Sequence, residues 1–170
     1  DSALGPLSDA YEQWITREES RITSANPSTG SGQDLDLIPY TQSARSALDS
    51  CRVTLKRMRE GLTLLKTDEN AAAAFCFANR AMADQRIRSI FTAKIRQNKP
   101  ASLEETDQPK SRSWRPFQLA FLLLNIPALV DPTHPDRVNP THAKADLLWF
   151  PTGGGKTEAY LGVAAFSMAL

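Results

Sequence analysis

Apolar positions recur every three or four residues over most of the chain, the repeat of a helix with one buried stripe. Ala44, Leu48, Cys51, Leu55, Met58, Leu62 and Leu65 step alternately by four and three, predicting a long helix that packs on another helix. Gly61 lies within it at a cost of about 1 kcal/mol relative to alanine, which points to a close contact there. After a polar turn, Lys66 to Asn70, a second helix is predicted over about 69–97. It carries Ala71, Phe75, Ala78 and Met82 on one face, then Ile87, Ile90, Phe91 and Ile95 after a shift of register. So short a turn between two long amphipathic helices predicts an antiparallel hairpin.

Upstream, Leu7, Ala10, Tyr11, Trp14, Ile15 and Ile22 predict a helix from Leu7 to about Thr23, with Ser8 or Asp9 as its cap and Trp14 as a core anchor. Residues 26–33, Asn-Pro-Ser-Thr-Gly-Ser-Gly-Gln, have the composition of a flexible surface loop, and residues 34–40 show no pattern. Residues 98–113 lack periodicity and are rich in Pro, Ser, Glu and Lys, as an exposed linker is. Pro116 suits the first turn of a helix over 114–125, which Pro127 is expected to end. Residues 131–144 are turn-rich.

One stretch breaks the helical rule. Leu147-Leu148-Trp149-Phe150 is an unbroken apolar run that stops at Pro151 and three glycines, as a buried parallel strand does. A helix from Lys156 to Leu170 is expected beyond it.

Composition changes this picture little. Twenty basic and 19 acidic residues leave a net charge of +1, which by itself predicts no nucleic-acid partner. Arg80, Arg86, Arg88, Lys94, Arg96 and Lys99 stand against a single acid, Asp84. A solvated face paired with Glu104, Glu105 and Asp107 is the favoured reading, ahead of contact with phosphate backbone. Cys51 and Cys76 have no metal-ligand spacing and are expected to be buried free thiols in a reducing compartment. His134 and His142 lack nearby cysteines, so a zinc site is not expected. No apolar run approaches the roughly 18–20 residues that cross a bilayer, and no signal peptide opens the chain, so no membrane association and a cytoplasmic location are expected.

The chemistry concentrates in residues 151–157, Pro-Thr-Gly-Gly-Gly-Lys-Thr. Gly153, Gly154 and Gly155 can take positive φ and carry no Cβ, so backbone N–H groups can converge on an anion. The following helix adds N–H groups and the positive end of its dipole. Lys156 would meet the β- and γ-phosphates of a nucleoside triphosphate, and Thr157 would ligate the bridging Mg²⁺. The general phosphate-loop pattern needs glycine at position 150, where this chain has Phe150.

Pro151 to Thr157 instead resembles motif I of superfamily 2 helicases and translocases, and Arg115-Pro-Phe-Gln118 resembles their upstream adenine-reading feature. Residues 114–125 (Trp-Arg-Pro-Phe-Gln-Leu-Ala-Phe-Leu-Leu-Leu-Asn), 134–137 (His-Pro-Asp-Arg), 145–162 and 77–83 (Phe-Ala-Asn-Arg-Ala-Met-Ala) together resemble the large helicase of the DISARM anti-phage defence system. The likeness covers most of the chain from Arg57 onward.

The resemblance implies a helical accessory region over 1–98, a linker over 99–113, and over 114–170 the beginning of an α/β RecA-like P-loop NTPase domain. It implies an ATP-driven helicase or translocase, acting on DNA more than RNA, beside defence-system protein partners. ATP and Mg²⁺ would be held by Thr152, Gly153, Gly154, Gly155, Lys156 and Thr157, with Lys156 catalytic and Gln118 orienting the adenine through paired donor and acceptor. The chain starts with Asp, stops in mid-helix, and lacks an Asp-Glu-x-His/Asp strand and a second motor domain. It is therefore expected to be a fragment that hydrolyses little ATP alone, with a truncated nucleotide-binding part unstable by itself. Two competing readings are a non-motor NTPase switch that controls protein assembly, and a helical interaction module whose glycine loop binds nothing.

Overall fold

The computed structural model describes residues 4–24, 39–149 and 153–170. Their regular structure is helical throughout: α1 (Gly5–Ser24), α2 (Thr41–Thr67), α3 (Glu69–Arg96), α4 (Leu103–Thr106), a 3₁₀ turn (Pro109–Ser111), α5 (Pro116–Val130), α6 (Pro135–Val138) and α7 (Lys156–Ala169).

The α/β expectation is therefore overturned. No strand occurs among the described residues, and Leu147 and Trp149 stand 82% and 84% exposed instead of buried in a sheet. A strand is held by ladder hydrogen bonds to a neighbouring strand, and these residues have none, so an apolar run alone did not make one. Phe150, Pro151 and Thr152, like the loop expected at 26–33, lie outside the described residues.

The long helices form where the periodicity places them. Asp68 separates α2 from α3 in a single extended residue, and its carboxylate caps α3 by accepting from the Ala71 N–H at 2.9 Å. The two helices do not chiefly pack on each other. The most extensive packing joins α2 to α5 and α3 to α7, with α1 lying along α2. Met58 of α2, Ala71, Ala74 and Ala78 of α3, Leu122, Leu123 and Ile126 of α5, and Phe166 of α7 share one core. This core draws on residues from both sides of 99–113. A smaller cluster of Ile15, Leu48 and Leu55 seats α1 on α2.

Gly61 is the contact its position suggested. A Cβ there would run into the backbone carbonyl of Leu123 on α5. That carbonyl lacks its usual partner four residues on, because Pro127 has no N–H. Pro127 does not end the helix, which continues to Val130.

Other local expectations change for identifiable reasons. Ser8 does not cap α1 but sits inside it, its hydroxyl donating to the Gly5 carbonyl at 2.9 Å. Trp14 is 40% exposed and stacks parallel on Tyr11 with ring centroids 5.8 Å apart, so it is a surface ring and not a core anchor. Both cysteines are free, but Cys51 is half-buried and Cys76 exposed.

One ionic cluster ties the turn-rich segment to α2. The almost buried guanidinium of Arg57 donates to both oxygens of Asp146 at 2.6 Å each. Its Nε lies 2.9 Å from Asp136 Oδ2, without the alignment of a hydrogen bond. Lys144 Nζ reaches the other Asp136 oxygen at 2.9 Å. Burial pushes the Asp136 carboxyl upward, but the Lys144 hydrogen bond and the Arg57 and Lys144 charges outweigh it and leave the group below its ordinary value. A depressed folded value gives stability that is complete above the unfolded value of about 3.9 and is lost as pH falls through the folded one. The unfolding midpoint is expected to fall with acidification below about pH 4, and less steeply in Asp136→Asn. An identical acid dependence in both proteins, followed by circular dichroism, would remove this cluster as the cause.

Candidate functional site: the glycine loop on α5 and α7

The loop that leads into α7 takes positive φ at two of its three glycines. Gly153 and Gly155 take φ of 79° and 91°, in the left-handed region where a side chain is strained. Gly155 caps α7, so Lys156 and Thr157 are its first two residues, where backbone N–H groups have no intrahelical acceptor. Lys156 is half-buried and Thr157 exposed. Ala159, Gly162 and Phe166 bury the opposite face of α7, and the Tyr160 ring meets the edge of Phe121 at 5.5 Å.

The start of α5 holds this loop. Arg115 Nη1 donates to the Gly154 carbonyl at 2.8 Å, and Gln118 Nε2 donates to the Gly155 carbonyl at 2.7 Å. Gln118 Oε1 accepts from the Arg115 backbone N–H at 2.9 Å, as a glutamine at the third helical position does in half of a capping box. The Gln118 side chain is buried although its neighbours Arg115 and Pro116 are exposed. Packing is tight enough that a Cβ on Gly155 would lie 2.7 Å from Gln118 Nε2.

Trp114 anchors the same corner. Its Nε1 donates to Asn79 Oδ1 on α3 at 2.6 Å, and its ring lies so close to Gly162 that a Cβ there would approach it to 2.8 Å. Between α3, the start of α5 and the glycine loop lies a cavity of about 200 Å³. Arg86, Arg112, Arg115 and Gln118 contribute to its wall, with Glu158 opposite Arg86 at 3.8 Å. Of the acids downstream of α3, Asp107 pairs with Arg112 at 2.8 Å. His134 caps α6 through Nδ1, which accepts from the Asp136 N–H at 3.2 Å.

The structure thus brings Gly153, Gly154, Gly155, Lys156 and Thr157 to one helix start and Gln118 against it, while Thr152 lies outside the described residues. Sequence reasoning gave Arg115 no separate role and missed Trp114 and Asn79. The signal available was a polar Asn79 on an otherwise alanine-rich stretch of α3.

No protein-family model matches the chain. One curated protein does. The chain is related to the DISARM protein DrmA of Bacillus paralicheniformis. The two are 39% identical over 165 residues, which is 96% of this chain. The chain spans only 13% of the length of DrmA. No helix among the described residues is long and apolar enough to cross a membrane.

Proposed function

We propose that the glycine loop and the start of α7 bind the phosphates of ATP with Mg²⁺, and that the intact protein is an ATP-driven superfamily 2 helicase or translocase acting on DNA in defence against phage. The observation that carries the nucleotide reading is the run of left-handed Gly153 and Gly155 directly into a helix that opens with Lys156 and Thr157. A peptide backbone in this shape presents N–H groups to an anion at the positive end of a helix dipole. Lys156 would supply a point charge to the β- and γ-phosphates, and the exposed Thr157 hydroxyl would serve as a ligand to the metal. Mg²⁺, when bound, neutralises charge on the phosphate oxygens. The relation to DrmA supports a defence setting, and superfamily 2 chemistry rests on the motif in residues 151–157.

The test is ATP turnover by the intact protein, with and without single-stranded and duplex DNA, for wild type and Lys156→Ala. DNA-stimulated turnover that drops by at least about 100-fold on substitution, the scale of losing one charge-stabilising donor, is the expected result. ATP binding with slow turnover indifferent to DNA would replace the motor by a nucleotide switch that controls partner assembly. Turnover unaffected by Lys156→Ala would remove the glycine loop from the reaction.

A further inference from the structure

Gln118 and Arg115 hold the oxygen side of the glycine loop, and this has a stereochemical consequence. In a trans peptide the C=O of one residue and the N–H of the next point in opposite directions, and the described chain has no cis peptide. Arg115 on the Gly154 carbonyl therefore turns the Gly155 N–H away from α5. Gln118 on the Gly155 carbonyl does the same for the Lys156 N–H. Both donors face the side opposite to α5. The Gln118 amide meanwhile spends its oxygen on Arg115 N–H and its nitrogen on Gly155. Reading an adenine edge needs that donor and acceptor together. Turning the amide outward would break both bonds.

We propose that Arg115 and Gln118 are positioning residues that aim the Gly155 and Lys156 N–H groups at the phosphates, and that the site selects a triphosphate by its phosphates without reading the base. This rests on the nucleotide reading above. ATP, GTP and inorganic triphosphate are then all ligands.

Calorimetric titration of the intact protein with each of the three, in Mg²⁺, tests it for wild type, Gln118→Met, Arg115→Met and Lys156→Ala. Methionine keeps the volume of Gln118 and removes its hydrogen bonds. Wild type is expected to bind ATP and GTP with affinities within about threefold. Gln118→Met should weaken all three ligands by one common factor of about 10, the worth of a net hydrogen bond of 1–1.5 kcal/mol. Arg115→Met should repeat this uniform loss, and carries the test if Gln118→Met does not fold.

A loss confined to ATP in Gln118→Met would make the glutamine a base reader and overturn the proposal. So would unchanged affinities in both variants while Lys156→Ala loses binding, which leaves the nucleotide site itself intact. A wild type that binds none of the three ends the nucleotide reading and this proposal with it.

Discussion

Arg57→Met is expected to lower stability by about 3 kcal/mol, the lower end of what breaking a buried ion pair costs. The arginine is almost buried, and it faces two carboxylates with side chains 15% and 23% exposed, Asp136 and Asp146. Methionine fills much of the volume, so the loss is electrostatic more than steric. It leaves the Asp146 carboxylate without its bidentate donor and Asp136 with the Lys144 ion pair. For a chain of this length the melting temperature should fall by about 6–12 °C. Asp146→Asn, which keeps Asp136 opposite Arg57, should lose about half as much, and neutralising both acids in the Arg57→Met background should recover part of the loss, because no charge then remains to be desolvated. A shift of under about 2 °C in Arg57→Met, well below that range, would show that the cluster contributes little. The same variant should loosen the segment between α6 and the glycine loop, since Asp136 and Asp146 are where that segment is fastened to α2.

Gly61→Val is expected to be comparably damaging for the opposite reason. The new side chain meets the backbone carbonyl of Leu123, which cannot turn aside as a side chain could. The only relief is to move α5 away from α2, along the most extensive helix contact in the fold. Overpacking of this kind costs about 1–3 kcal/mol, occasionally more. Gly61→Ala separates the terms: alanine favours the helix by about 1 kcal/mol but still collides, so it should be destabilising overall. Gly5→Ala, with nothing within 4 Å of the added carbon, should change stability little. Chemical denaturation of the three variants measures this ordering, and a Gly61→Ala protein more stable than wild type would mean that the helices yield freely.

The long helices were legible because their signal is local. The stepping of Leu48, Leu55 and Met58 reports a buried stripe whatever covers it, and Asp68 can cap α3 from its own position in the chain. The glycine loop was legible for a related reason: positive φ at Gly153 and Gly155, followed by a helix at Lys156, depends on the residues themselves. Gly61 marked a close approach without naming the partner.

What covers each stripe was not legible. The seam on α2 fits another helix, but nothing in its spacing prefers α3 over α5, and the structure chose α5. Trp14 belongs to an apolar stripe, yet its ring lies at the edge of α1 against Tyr11, where a single helix pattern cannot separate rim from core. The strand expected at 147–150 is absent from the described residues 147–149 on the same ground, since strand structure is a property of a pair of segments and hydrophobicity a property of one. Gln118 shows the difference at the site. Its amide was recognisable as a donor and an acceptor, and its bond to Arg115 is local, but only the fold decided that its nitrogen meets Gly155. By itself the sequence determined the helices, the left-handed glycines and the Lys156-Thr157 helix start, because those follow from bonds and contacts between near neighbours. Tertiary structure alone decided the pairing of α2 with α5 and α3 with α7, the Arg57 clamp across 89 residues, and the direction of the Gln118 amide. Each of those rests on at least one contact between groups far apart in the chain, whose meeting no local pattern encodes.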